Sequence, residues 1–113
     1  MISYNILTTN FPFIEDPLRS KKRPALAITK AVGPHQLVVV AFITTNLNRT
    51  EPTDILLEKK ESYFSHTGLS HSSIIQLHKL FTLPVNQLQD NIGMLSPLKS
   101  KEVQKKLKTL FKI

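Results

Sequence analysis

No cysteine occurs in this sequence, which excludes disulfides, thiolate zinc sites and cysteine nucleophiles and suits a reducing compartment. Only three glycines are present, too scattered for a Gly-rich phosphate loop, and no Gly-x-Ser-x-Gly turn can be assembled. Nucleotide-dependent and acyl-transfer enzymes are therefore disfavoured. The longest apolar run, residues 37–43, is seven residues long, far short of a bilayer span. The first residues, MISYN, lack the charged and apolar regions of a secretory signal, so a cytoplasmic protein without a membrane partner is expected. Metal-ligand spacing is absent as well: His66 and His71 stand five apart in polar sequence, and His78 falls in a strand-like run. Neither a metal nor a cofactor is expected.

Acids are also scarce. Eight Asp and Glu against fifteen Lys and Arg leave a net charge of +7, which favours a polyanionic partner, of which nucleic acid is the commonest. The charge is clustered. Arg19, Lys21, Lys22 and Arg23 form one group, and Lys99, Lys101, Lys105, Lys106, Lys108 and Lys112 crowd the C-terminal residues, where a solvated helix face is the competing reading.

Residues 20–45 organise the rest. Two apolar runs rich in Val, Ile and Ala flank Gly33-Pro34, the pattern of a β-hairpin. With Gly33-Pro34 at the centre of the turn, Ala25 faces Phe42, Leu26 faces Ala41 and Ala27 faces Val40. Small side chains then meet large ones, as filling a fixed interlayer space requires. The same register sets Arg23 opposite Thr44, so a guanidinium and a hydroxyl that can both donate to an anion stand side by side.

Around this hairpin, residues 4–9 read as a strand that leaves the sheet at Asn10-Phe11-Pro12-Phe13. Residues 14–22 are charged, aperiodic and carry Pro17, which predicts a mobile loop; Glu15 and Asp16 lie in it, and beside a site it could act as a lid. Residues 46–53 predict a loop and residues 54–57 a short strand. Residues 73–83 predict a strand bent near Lys79, because neither parity is cleanly apolar. Proline at position 84 opens an expected helix of one or two turns over 84–90, ended by Asn91-Ile92-Gly93. Ser96-Pro97 is a helix start, and Val103, Leu107, Leu110 and Phe111 are expected on one buried face. Together these predict one domain, residues 1–113, mainly β with α: a small, strongly bent sheet or barrel with an appended helix, with a two-layer α+β domain as the alternative.

The ordered motifs Phe11-Pro12-Phe13, Arg23-Pro24-Ala25, Ile43-Thr44, Gly68-Leu69, Ser73-Ile74-Ile75 and Ile92-Gly93-Met94-Leu95-Ser96 resemble the MazF/PemK toxins of bacterial type II toxin-antitoxin systems, over residues 4 to the end. The resemblance implies an SH3-like barrel of the CcdB/MazF type with a short helix and a C-terminal amphipathic helix, usually a homodimer. It also implies metal-independent cleavage of single-stranded RNA and neutralisation by a cognate antitoxin protein. The catalytic pair falls on Arg23 and Thr44, and RNA-binding positions on Arg19, Lys21, Lys22, Thr45, Gln76 and His78. The sequence departs from the family pattern at Tyr4 and Asn5, where Gly-Asp is usual, and at Gln76 and His78, where Arg and Asp are common.

Such cleavage uses the 2′-hydroxyl as nucleophile, so the protein must stabilise a dianionic phosphorane, for which Arg23 suits the phosphate and Thr44 a nonbridging oxygen or the nucleophile. An always-protonated arginine is a poor proton acceptor, and the general base is left unassigned. The competing reading is a non-catalytic nucleic-acid-binding (DNA or RNA) or gyrase-inhibiting, CcdB-like module on the same fold.

Overall fold

The computed structural model describes residues 4–13, 16–48 and 51–113, with side chains for all of these except 11–13 and 16–21. Among the described residues six strands form one antiparallel sheet: β1 (Asn5–Phe13), β2 (Asp16–Ala27), β3 (Leu37–Thr44), β4 (Asp54–Leu57), β5 (Ser73–Pro84) and β6 (Leu88–Met94), in the order β4-β5-β3-β2-β1-β6. A C-terminal helix, α1 (Pro97–Phe111), follows. This is the bent sheet with an appended helix that the pattern predicts.

The hairpin register is as expected: Ala25 pairs with Phe42, Leu26 with Ala41 and Ala27 with Val40. Its turn is not. The Ile28 N–H donates to the Val39 carbonyl (2.8 Å), but beyond it Val32 and Leu37 bridge each other, and the Gln36 N–H closes on the Gly33 carbonyl at 3.1 Å. The turn therefore centres on Pro34-His35 rather than on Gly33-Pro34. Residues Thr29 to Ala31 bulge out on one side only, with the Thr29 hydroxyl accepting from the Val39 N–H.

Apolar side chains cover both faces of the hairpin, so its strands read as continuous apolar runs rather than alternating ones. On one face Ile6, Leu26, Ala41, Ile43, Ile55, Ile75 and Leu77 form the main core, closed by Phe64, Leu95 and Val103. On the other, Ala25, Ala27, Val38 and Val40 pack with Leu7, Leu83 and Leu88. Strand β5 bends where predicted: Phe42 pairs with Gln76 but Ala41 with Leu80, so Leu77, His78 and Lys79 bulge out of the ladder.

Four expectations are corrected. Residues 10–13 do not leave the sheet, and Asp16 to Lys22 are strand rather than loop, because β1 and β2 pair out to Phe13 and Asp16. Beyond Thr9 β1 has no β6 partner, and before Ala25 β2 has no β3 ladder, so Pro12 and Pro17 lie on sheet edges where proline is tolerated. The helix expected over 84–90 is a single 3-10 turn, Val85–Gln87, followed by β6. A helix of one or two turns is marginal, whereas pairing with β1 satisfies its backbone groups. A 3-10 helix that the sequence reading missed, Ser62–Thr67, ends at Gly68 and packs against β6. In α1, Val103 is fully buried and Leu107 partly so, but Phe111, the last residue of the helix, is 54% exposed. The helix start is as expected, Ser96 Oγ accepting from the Lys99 N–H at 3.2 Å.

Candidate functional site

Strand alternation from the pair Ala25–Phe42 carries outward to Arg23, two residues earlier on β2, and Thr44, two later on β3. Both therefore fall on the Ala25/Phe42 face, one step beyond the last bonded pair of this ladder. On its other side β2 pairs Arg23 with Thr9, and β3 pairs Thr44 with Ile74. Arg23 and Thr44 thus stand in line with Thr9 and Ile74, although no pair joins β2 and β3 at this level. The parallel row beside this line is Leu7, Ala25, Phe42, Gln76 and Asp54.

The line of four has a buried floor and an open middle. Thr9 is 1% exposed and donates its hydroxyl hydrogen to the Gln87 carbonyl (2.7 Å), and Ile74 is 1% exposed, whereas Arg23 and Thr44 are half-buried. Thr44 Oγ1 accepts from the Asn46 N–H at 3.1 Å. That bond fixes the oxygen while leaving its hydrogen available to donate. A permanently charged fork of donors and an oriented hydroxyl on one face can hold a phosphate oxygen between them.

The other predicted positions divide. Gln76, half-buried, lies one row along, between Phe42 and Asp54. His78 is exposed in the β5 bulge, its Nδ1 2.8 Å from Thr53 Oγ1. Phe42, beside Gln76, meets Phe81 edge-on with ring centroids 4.6 Å apart. Lys22 and Thr45 lie elsewhere: together with Thr8, Ser70, His71 and Ser73 they line a cavity of about 250 Å³ on the opposite parity of β2. Lys22 is there tied to Asp90 of β6 at 3.0 Å, a bond that no local pattern in the sequence announces. The side chains of Arg19, Lys21 and Asp16 lie outside the described ones, and Glu15 outside the described residues. Among the described residues no group of three His, Cys, Asp or Glu could hold a metal ion.

Two neighbours of this face escaped the sequence reading. Thr9 is the cross-strand partner of Arg23, visible only once β1 pairs with β2. Asp54 is 8% exposed, with Oδ2 accepting from the Glu51 N–H (2.8 Å) and Oδ1 without a hydrogen-bond partner. Asp54 opens the short strand expected over 54–57, but nothing in that pattern announces the burial of its carboxylate.

In architecture the chain is a small, bent β-sheet of the SH3-like barrel type carrying one C-terminal helix. Residues 3–111 match the model of the PemK-like, MazF-like toxins of type II toxin-antitoxin systems, and the chain belongs to that family. Among solved structures it is similar to the Mycobacterium tuberculosis toxin MazF-mt6, with a TM-score of 0.72, 25% identity and coverage of 96% of this chain and 97% of that one. The same fold recurs in two mycobacterial endoribonucleases at 17% identity. One, in complex with its cognate antitoxin, has a TM-score of 0.72 over 100% of this chain and 96% of its own. The other has a TM-score of 0.69 over 100% of this chain and 92% of its own. No curated protein matches the chain.

Proposed function

We propose that this toxin is a metal-independent endoribonuclease that cleaves single-stranded RNA by attack of a ribose 2′-hydroxyl on the adjacent phosphate. What supports the reading is strand alternation outward from the Ala25–Phe42 pair, which carries Arg23 and Thr44 to the same face, in a chain of the MazF-like family. The 2′-oxygen bonds to phosphorus as its proton leaves, the bond to the 5′-oxygen breaks, and that oxygen takes up a proton. The products are a 2′,3′-cyclic phosphate and a 5′-hydroxyl. Arg23 neutralises the charge that accumulates on the nonbridging oxygens, and the Thr44 hydroxyl donates to one of them, both favouring the phosphorane over the ground-state diester. Gln76 and His78, along the same face, contact the bases that flank the cut. Arg19 and Lys21 contribute to RNA binding next to Arg23, whereas Lys22 and Thr45, on the opposite parity, lie outside this groove.

The toxin works in the cytoplasm as a homodimer, and its cognate antitoxin is an extended acidic segment that occupies the same groove. The mycobacterial endoribonuclease described in complex with its cognate antitoxin supports the existence of an antitoxin partner.

Incubation of the purified protein with single-stranded RNA in a chelator tests the reading. Products ending in 2′,3′-cyclic phosphate are expected, with Arg23→Ala lowering cleavage by several orders of magnitude, Thr44→Ala lowering it less, and the two losses strongly non-additive. Intact RNA held in a complex would instead indicate a binding module, and a double-variant loss equal to the product of the single losses would refute a shared transition state.

A further inference from the structure

Along α1, Lys101, Lys105 and Lys108 follow one another at steps of four and three, and Lys112 caps the helix end. At about 100° per residue the first three occupy an arc of roughly 60°, on the side of the helix away from the fully buried Val103. All four are exposed, and among the described residues none makes an ion pair or side-chain hydrogen bond. The helix has one acid, Glu102. It is already engaged by Lys99 at 3.1 Å and Lys106 at 3.5 Å, and Lys106 also donates to the Asp54 carbonyl.

The helix's own electrostatics does not account for this stripe. Its dipole favours cations only in the last turn, which covers Lys108 and Lys112 but not Lys101 and Lys105. Lysines three and four apart repel one another. The stripe therefore costs the isolated helix a little, and a polyanion laid along it would reverse the sign. Lysine is a flexible point charge without the directional fork of arginine, and it is depleted at protein–protein contact cores. No continuous apolar face accompanies it for a lipid surface, since exposed Leu98 and Phe111 stand at opposite ends of the helix.

Resting on the ribonuclease reading, we infer that the outer face of α1 is a second RNA-binding surface, which holds the phosphate backbone of RNA beyond the cleavage groove. It makes a long RNA a better substrate than a short one. The contact is independent of sequence, and its signature is salt dependence.

The test compares the full chain with a variant carrying Lys101→Gln, Lys105→Gln and Lys108→Gln, glutamine being a good helix former. A control carries Lys30→Gln, Lys59→Gln and Lys60→Gln and has the same net charge. Binding of a fluorescent single-stranded RNA of 30 or more nucleotides is read by anisotropy in an Arg23→Ala background, so that the probe stays intact. The expected result is a log–log salt slope lower by roughly two in the stripe variant, at about 0.7 per lost phosphate contact, and unchanged in the control. With Arg23 restored, cleavage of a long transcript should weaken while hexanucleotides are cut at the parental rate. Equal loss of binding in both triple variants would overturn the inference, because net charge would then suffice. So would parental RNA binding by the stripe variant, whether or not it has lost binding to phosphatidylglycerol vesicles or to a polyglutamate peptide. If the parent protein cuts no RNA, the ribonuclease reading fails while the binding comparison still decides this one.

Discussion

The three glycines of the chain form a graded series that separates backbone strain from crowding. At Gly33 the φ angle is +81° but a Cβ would meet nothing within 4 Å. At Gly93 a Cβ would lie 2.3 Å from the His66 carbonyl oxygen and 2.4 Å from Thr67 backbone atoms. At Gly68 both problems coincide: φ is +73° and a Cβ would lie 2.0 Å from the Ile92 carbonyl oxygen. A left-handed residue with a Cβ costs about 1–2 kcal/mol, and overpacking against atoms that cannot swing aside costs about 1–3 kcal/mol. Gly33→Ala should therefore lose about 1–2 kcal/mol and Gly93→Ala about 1–3 kcal/mol. Gly68→Ala should lose the sum, about 2–5 kcal/mol, from a total that for such domains is about 5–15 kcal/mol. With an unfolding entropy of about 2.1 cal/mol/K per residue over 113 residues, each kcal/mol lowers Tm by about 4 °C. Urea unfolding followed by circular dichroism, with calorimetry in parallel, reads the series. Because Gly68 and Gly93 face each other's neighbours across one contact between the 3-10 helix and β6, the double variant should lose less than the two single losses together. A Gly68→Ala loss no greater than that of Gly33→Ala would refute the crowding argument, and with it the close seating of the 3-10 helix on β6.

Three further outcomes test the core, the start of α1 and the β2–β6 ion pair. Val103→Ala removes two methyl groups from a fully buried position; at about 0.8 kcal/mol per group plus a cavity penalty it should cost about 2–3 kcal/mol, read as a lower urea midpoint at constant m. Ser96→Ala deletes the acceptor of the Lys99 N–H and should cost about 1 kcal/mol, while Ser96→Asp restores the stability in the same melting assay. Lys22 and Asp90 are paired at 3.0 Å but are 52% and 64% exposed, so a double-mutant cycle should give a coupling below about 1 kcal/mol that disappears in 1 M salt.

What the sequence by itself determined is what neighbouring residues enforce on one another. The β2–β3 register expected from a turn at Gly33-Pro34, with small residues facing large ones, holds from Ala25–Phe42 through Ala27–Val40 because the bulge at Thr29 to Ala31 offsets the displaced turn. The start of α1 follows from Ser96 and Pro97, and the bend of β5 from a run in which neither parity is apolar throughout. The shared face of Arg23 and Thr44 is a consequence of that same register. Only the tertiary structure decided where backbone groups without a local preference find partners. Residues 16–22 and 88–94 have no strand periodicity, yet both become strand because β1 offers each a ladder. The turn centres on Pro34-His35, and a one-sided bulge at Thr29 to Ala31, held by the Val39 N–H on the Thr29 hydroxyl, restores the register beyond it. Thr9 beside Arg23, Asp90 on Lys22 and Thr53 on His78 are contacts between residues 14, 68 and 25 positions apart. No local pattern encodes such separations: they exist only after the sheet has closed the chain upon itself and offset the entropy of bringing those residues together.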